Sequence, residues 1–270
     1  MSETYIEFQQ VGKVFGSRKR SVEPTRALDD VNFTIGRGEF CSVIGPSGCG
    51  KSTLLRILDG LVPADEGQVL VDGVPVDGPG PDRAMVFQHF NLMPWRTVLK
   101  NVEFGLEVRG IPAAERKETA KRYLELFGLG QFEQHFPSQL SGGMQQRVGL
   151  ARALAVDCSI LLMDEPFGAL DAQTKMLMQL ELAKIWHEDR RTVLFVTHDI
   201  EEAVFLSDRI VVMSARPGRI ATIVDVPFDR PRDERLRATP EFARVKDEIW
   251  QLLKKAMNPE EIEPLVEATS

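Results

Sequence analysis

Apolar and polar residues alternate along Thr4 to Phe8 and again along Leu28 to Ile35, the two-residue period of strands with one buried face. Gly36 to Gly38 reads as a tight turn into Phe40 to Ile44, a short apolar run expected of a buried strand. Leu54, Leu55, Ile57 and Leu58 then take helical spacing, and Gly60 supplies a C-terminal stop. Gly67 to Val76 reads as a hairpin turning at Asp72-Gly73. The middle third changes to helices over Ile111 to Gly128, with Pro112 near the start, and over Gly142 to Val156. Buried strands return at Ser159 to Met163, Thr192 to Val196 and Arg209 to Met213, with helices at Ala172 to Arg190 and Ile200 to Ser207. Asp199 followed by Glu202 predicts a capping box for the latter. A last helix is expected with Thr239 as N-cap, Pro240 at its first position, and a core-facing stripe of Phe242, Val245, Ile249, Leu252, Leu253 and Ala256. Strands alternating with helices predict an α/β core with a mostly parallel sheet. An α-helical subdomain is inserted at about 90–157, between core segments 1–89 and 158–235, and a helix and acidic tail occupy 236–270.

Composition narrows the class. The 270 residues suffice for one large domain or two modest ones, and the net charge of −7 disfavours a nucleic-acid-binding face. Cys41 and Cys158 sit among apolar or small residues and read as buried thiols; no CxxC or His-Cys cluster suggests zinc or a disulfide framework. The mixed, polar stretch Met1 to Gln10 does not read as a signal peptide. No apolar run approaches the ~18 residues of a membrane span, so any membrane role is expected to be peripheral and through a partner.

The run Gly45-Pro46-Ser47-Gly48-Cys49-Gly50-Lys51-Ser52-Thr53 matches G-x-x-x-x-G-K-[ST] and lies between a predicted strand and a predicted helix. Gly45, Gly48 and Gly50 let the backbone curl so that several N–H groups face phosphate oxygens, and the following helix turns its positive end to the same place. Lys51 supplies a charge for the β- and γ-phosphates, and the Ser52 hydroxyl can ligate Mg²⁺. A second run, Ile160 to Met163, ends in Asp164-Glu165. Alone this is a weak signal, open to a plain strand terminus as well as a site. Beside a phosphate loop, Asp164 becomes a candidate Mg²⁺ holder and Glu165 the general base for an attacking water.

Leu140-Ser141-Gly142-Gly143-Met144-Gln145-Gln146-Arg147 resembles the signature motif of ABC ATPases. Gln88 after Met85-Val86-Phe87 is similar to that family's Q-loop, Ala169-Leu170-Asp171 to its D-loop, and Thr197-His198-Asp199 to its H-loop. Phe15 stands at the place of the aromatic that stacks on adenine, where many members carry Tyr. Order and spacing match over about residues 4 to 225. The resemblance implies a P-loop NTPase (RecA-like) core with an N-terminal antiparallel β subdomain. It also implies a head-to-tail homodimer with ATP between the phosphate loop of one copy and the signature segment of the other. Ser141, Gly142, Gly143 and Gln145 would then act on the second copy's nucleotide, and Asp171 would work across the interface. Gln88 would ligate Mg²⁺ and sense the γ-phosphate, and His198 would contact that phosphate. His89, His135 and His187 have no such company and receive no role.

Three tasks remain open to such an ATPase: the motor of an importer, the motor of a separate-chain exporter, or a non-transport role. Only 89 residues (positions 52 to 140) separate Lys51 from Ser141, too few for the coiled coil or inserted domains of the chromosome and repair members. Phe90-Asn91-Leu92-Met93-Pro94-Trp95-Arg96-Thr97-Val98, the run Asp164 to Asp171, Ala215-Arg216-Pro217-Gly218-Arg219-Ile220 and Arg230-Pro231-Arg232 resemble importer motors for nitrate, sulfonates and taurine. That resemblance implies permease subunits as partners, a solute-binding protein indirectly, and a place on the cytoplasmic face of the membrane. Met93, Pro94 and Trp95, close after Gln88, are expected to line a groove for a short permease helix.

Overall fold

Two units, Met1–Gly80 with Thr192–Ser270 and Pro81–Arg191, make up the computed structural model, in which residues 3–16, 24–88 and 91–257 are described. The first unit opens with β1 (Thr4–Phe15) and β2 (Thr25–Gly36), paired antiparallel. Both strands run longer than their alternation predicts. The register shifts between Phe8 and Val11 and again by Lys13, with Gln10 at φ 52°, and each irregularity resets which face a side chain takes. Arg37 and Gly38 turn the chain into β3 (Phe40–Ile44), buried at every position. The phosphate-loop run leads into α1 (Lys51–Leu58), ended by Gly60 at φ 80°. β4 (Glu66–Val71) and β5 (Val74–Pro75) form the hairpin, with Asp72 and Gly73 both at positive φ as a tight two-residue turn requires. β2, β1, β4 and β5 make the expected antiparallel sheet in that order.

In the second unit β6 (Arg83–Val86) precedes α2 (Val98–Val108), a helix the sequence pattern does not announce. Its Val98, Val102 and Gly105 are poor helix formers, and burial of Val98, Leu99, Val102 and Leu106 in the unit's core sustains it. α3 (Ala113–Leu126) has Pro112 as its N-cap, and both its ends lie within two residues of the expected ones. Ser141 caps α4 (Gly142–Ala155), accepting the Met144 N–H at 3.3 Å. β7 (Ile160–Asp164) pairs in parallel with β6, and α5 (Ala172–Asp189) closes with Arg190 in the left-handed conformation.

The chain returns to the first unit with β8 (Thr192–Val196), α6 (Ile200–Leu206), β9 (Arg209–Met213), β10 (Ile220–Asp225) and α7 (Pro240–Met257). β3 pairs in parallel with both β8 and β9, and β10 joins β9 antiparallel. The capping box at α6 is only half formed. Asp199 accepts the N–H groups of Glu201 and Glu202, but Glu202 receives the Thr197 hydroxyl, and that hydroxyl also accepts the Asp199 N–H. Thr239 caps α7 through the Phe242 N–H at 3.2 Å, and Phe242, Val245, Ile249, Leu253 and Ala256 are buried as the stripe predicts; Leu252 is half-buried. Among the described residues no helix is long and apolar enough to cross a membrane.

Candidate functional site

In the first unit, the parallel register of β3 with β8 (Phe40 beside Val193 through Val43 beside Val196) brings two motifs to one rim. β3 delivers the phosphate loop there, and β8 delivers Thr197 and His198. Gly48 at φ 76° and Gly50 at φ 100° adopt the left-handed conformation that curls the loop, and Gly50 is the N-cap of α1. Lys51 is buried, its Nζ donating to Gly45 O at 2.8 Å and Pro46 O at 3.1 Å. Those bonds fix the ammonium against the loop that it serves. Ser47 is exposed, and Ser52 and Thr53 are half-buried on the first turn of α1. The Cys49 thiol is buried and its pKa pushed up, chiefly by that burial, so the loop's cysteine is a packed thiol and no thiolate at neutral pH.

Phe15 ends β1 with 45% of its surface exposed, unlike the core Phe8 and Phe33, which stack at 4.4 Å. Lys13 Nζ lies 5.6 Å from the Phe15 ring, itself held by Asp65 at 2.9 Å and Pro63 O. His198 is exposed, and lines a pocket of about 490 Å³ whose other walls include Asp199, Glu201, Lys246 and Trp250.

The second unit has a rim of its own. β6 and β7 are parallel, with Val86 beside Met163, so Gln88 and the Asp164-Glu165 pair leave on the same side. Asp164 is 3% exposed, whereas Glu165 is half-buried. Gln88 Nε2 donates to Glu165 Oε2 at 3.3 Å. Glu165 takes φ 47°, a conformation that a branched or bulky residue resists and that recurs where side chains are held for chemistry.

The signature segment and the Asp171 loop meet within this unit. A Cβ at Gly143 would stand 3.3 Å from the Leu170 side chain, so Gly143 permits the approach. Gln145 turns its amide back to Pro137 O at 3.0 Å and Leu140 O at 3.2 Å, bracing the loop that carries Ser141 and Gly142. Asp171 caps α5 through the Thr174 N–H at 3.0 Å, and that bond holds its carboxyl below the usual range. Sequence reasoning overlooked Gln146. It is buried, donates to Glu165 O at 3.4 Å and accepts the Ala169 N–H at 3.0 Å, tying α4 to the segment between Asp164 and Asp171. Its helical phase on the buried side of α4 was the one available signal. Asn101 was also overlooked. Fully buried on α2, it accepts the Met93 N–H at 2.8 Å and donates toward the carbonyls of Met93, Arg96 and Thr97. The loop so fixed carries Trp95 with 74% of its surface exposed, a conspicuous position for an indole that local packing does not claim. Of the importer-like stretch, Phe90 lies outside the described residues, as does His89.

A glycine-rich phosphate-loop sequence after β3, two acids at the end of β7 and a serine-glycine turn capping α4 define an ATP-binding cassette, an ATPase of the P-loop class. The sequence model of the ABC transporter family matches residues 28–168, and the chain belongs to that family. It is 57% identical over 249 residues to an uncharacterized ABC transporter ATP-binding protein of Methanocaldococcus jannaschii, covering 92% of this chain and 91% of the relative. It is 46% identical to the nitrate import ATP-binding protein NrtD of Synechocystis sp. (93% and 95% covered). It is 47% identical to the taurine import ATP-binding protein TauB of Rhizobium johnstonii (84% and 88% covered). Among solved structures, the dimeric bacterial ABC transporter cassette MJ0796 matches with a TM-score of 0.75 at 38% identity, covering 83% of this chain and 100% of that one. A second structure of that cassette is a dimeric post-hydrolysis state bound to ADP and Pi. The α/β architecture expected from the sequence, with its antiparallel N-terminal sheet, mostly parallel sheet and helical insert, is the architecture of these cassettes.

Proposed function

We propose that this chain is the motor of an ABC importer for a small anionic or organic solute of the nitrate, sulfonate or taurine kind. Two copies work head to tail on membrane permease subunits at the cytoplasmic face, served indirectly by a solute-binding protein. The observation that carries the catalytic part is the Gln88–Glu165 pair at the end of β7 beside the buried Asp164. The N–H groups from Gly48 to Lys51 grip the phosphates and Lys51 meets their charge. Phe15 offers its exposed ring to adenine. Ser52, Gln88 and Asp164 are oxygen donors, the chemistry a hard divalent cation takes, and would hold Mg²⁺. When bound, that ion neutralises phosphate charge. Glu165 accepts the proton of the attacking water, and Gln88 holds the carboxylate until the γ-phosphate competes for the amide. His198 contacts the γ-phosphate. Ser141, Gly142, Gly143 and Gln145 of one copy cover the nucleotide of the other, and Asp171 reaches across the interface.

The import part is supported by the nitrate and taurine relatives and by Trp95, which stands ready on the Asn101-pinned loop to receive a permease helix. The deciding experiment is Glu165→Gln. It should lower kcat by about 100-fold or more, as loss of a general base does. It should also accumulate an ATP-dependent dimer, seen by sizing chromatography of the variant with and without ATP. Wild-type turnover in the variant would remove Glu165 as the base, and a monomer with ATP, both alone and on its permease, would remove the sandwich.

A further inference from the structure

The turn Ser214 to Arg219, between β9 and β10, is built against the phosphate loop. It closes on itself through the Ser214 N–H to Arg219 O at 2.9 Å. It is pinned to β2 by the Gly218 N–H to Ala27 O and the Asp29 N–H to Gly218 O, both at 3.0 Å, and by Arg219 Nε on Asp29 at 2.8 Å. Held there, the turn and the last residue of β9 back the loop at three places. A Cβ on Gly45 would lie 3.0 Å from Met213 O, one on Gly218 would collide with Cys49 O, and one on Gly48 would collide with the Arg216 guanidinium. Arg216 Nε donates to Gly48 O at 3.2 Å.

Arg216 differs from the arginines around it. Arg219 and Arg26 both pair with Asp29, and Arg26 also with Glu66. Among the described residues no carboxylate pairs with Arg216, although its side chain is exposed and one of its five donors is used. A fixed turn therefore presents an uncompensated guanidinium at the outer lip of the phosphate loop, while Lys51 occupies the inner side.

We propose that Arg216 is a second cation of the phosphate site. Through Gly48 O it positions the tip of the loop, and through its charge it favours nucleotides in proportion to their phosphate charge. The proposal rests on the reading of Gly45 to Thr53 as the phosphate loop, and Lys51→Ala, run in parallel, tests that reading separately.

Affinities of the full chain for fluorescently labelled ATP and ADP decide it, measured between low and physiological salt. Arg216→Ala should weaken ATP about 10-fold, weaken ADP less, and flatten the salt dependence of ATP binding. Arg216→Gln should match the alanine variant, whereas Arg216→Lys should recover most of the affinity at low salt. In steady-state hydrolysis KM should rise with kcat retained, a split that simple loosening of the fold would not give. Unchanged ATP affinity and an unchanged ATP-to-ADP ratio in Arg216→Ala, with Lys51→Ala impaired, would overturn the role of Arg216. If Lys51→Ala also bound normally, the phosphate-loop reading would fall instead.

Discussion

Replacing Arg232 with Met should cost the fold about 3 kcal/mol. Arg232 is 8% exposed and lies against the C-terminal end of α6. Its Nη1 donates to Val204 O at 3.3 Å, Phe205 O at 3.0 Å and Ser207 O at 2.7 Å, and its Nε and Nη2 donate to Phe228 O at 3.2 and 2.8 Å. The last carbonyls of a helix have no partner within it, and here burial keeps water from serving them. Charge-assisted bonds of this kind contribute about 1.5–3 kcal/mol each, but the gross sum overstates the loss because burying the cation is itself costly. That burial, with the like charge of Arg230 second, pulls the Arg232 pKa down to about 10, which still leaves it charged at neutral pH. What methionine cannot restore is three buried helix-end carbonyls, at about 1 kcal/mol apiece. With a urea dependence of about 3 kcal/mol per molar, the midpoint should fall by about 1 M at unchanged slope, followed by circular dichroism. Arg232→Lys should recover less than half, since an ammonium cannot span carbonyls on two segments as the fork does. A midpoint shift below about 0.3 M for Arg232→Met would refute the claim that these carbonyls depend on Arg232.

Asp29 is held well below the usual carboxylate range, first by its bond to Arg219 and then, against the opposing effect of burial, by Arg26. A depressed carboxyl stabilises the fold above its unfolded pKa and loses that contribution as pH falls through the folded value. The gap in melting temperature between wild type and Asp29→Asn should therefore be full at pH 7 and close below about pH 4; a gap that widens on acidification would contradict the pairing. Asn101→Ala should destabilise the chain by about 2 kcal/mol and free the loop it stitches. In a background with Trp186 and Trp250 replaced by Phe, the fluorescence anisotropy of Trp95 should drop, and an unchanged value would show that the loop is held by something else.

Legibility in the sequence followed the range of the interactions involved. β3, β7 and β8 were readable because full burial writes a continuous apolar run, and the glycine-rich turn from β3 into α1 because nine adjacent residues with fixed spacing encode it. β1 and β2 were read short because bulges break the alternation that reveals a strand, and α2 was missed because packing sustains a segment of weak propensity. The supports of the site were hidden for another reason. Arg216 meets Gly48 across 168 positions of sequence, and Gln146 meets Glu165 across 19, so neither contact leaves a mark in any local pattern.

Trp95 stands out from a loop that Asn101 has already fixed, and this sets what a contact there costs. A loop set in place during folding needs no further ordering of its backbone when a complementary surface arrives, so the freedom lost on contact is that of the side chain alone. The same bonds hold Trp95 at the surface of the folded chain. The ordering that a binding loop ordinarily leaves to the moment of contact is here completed when the chain folds.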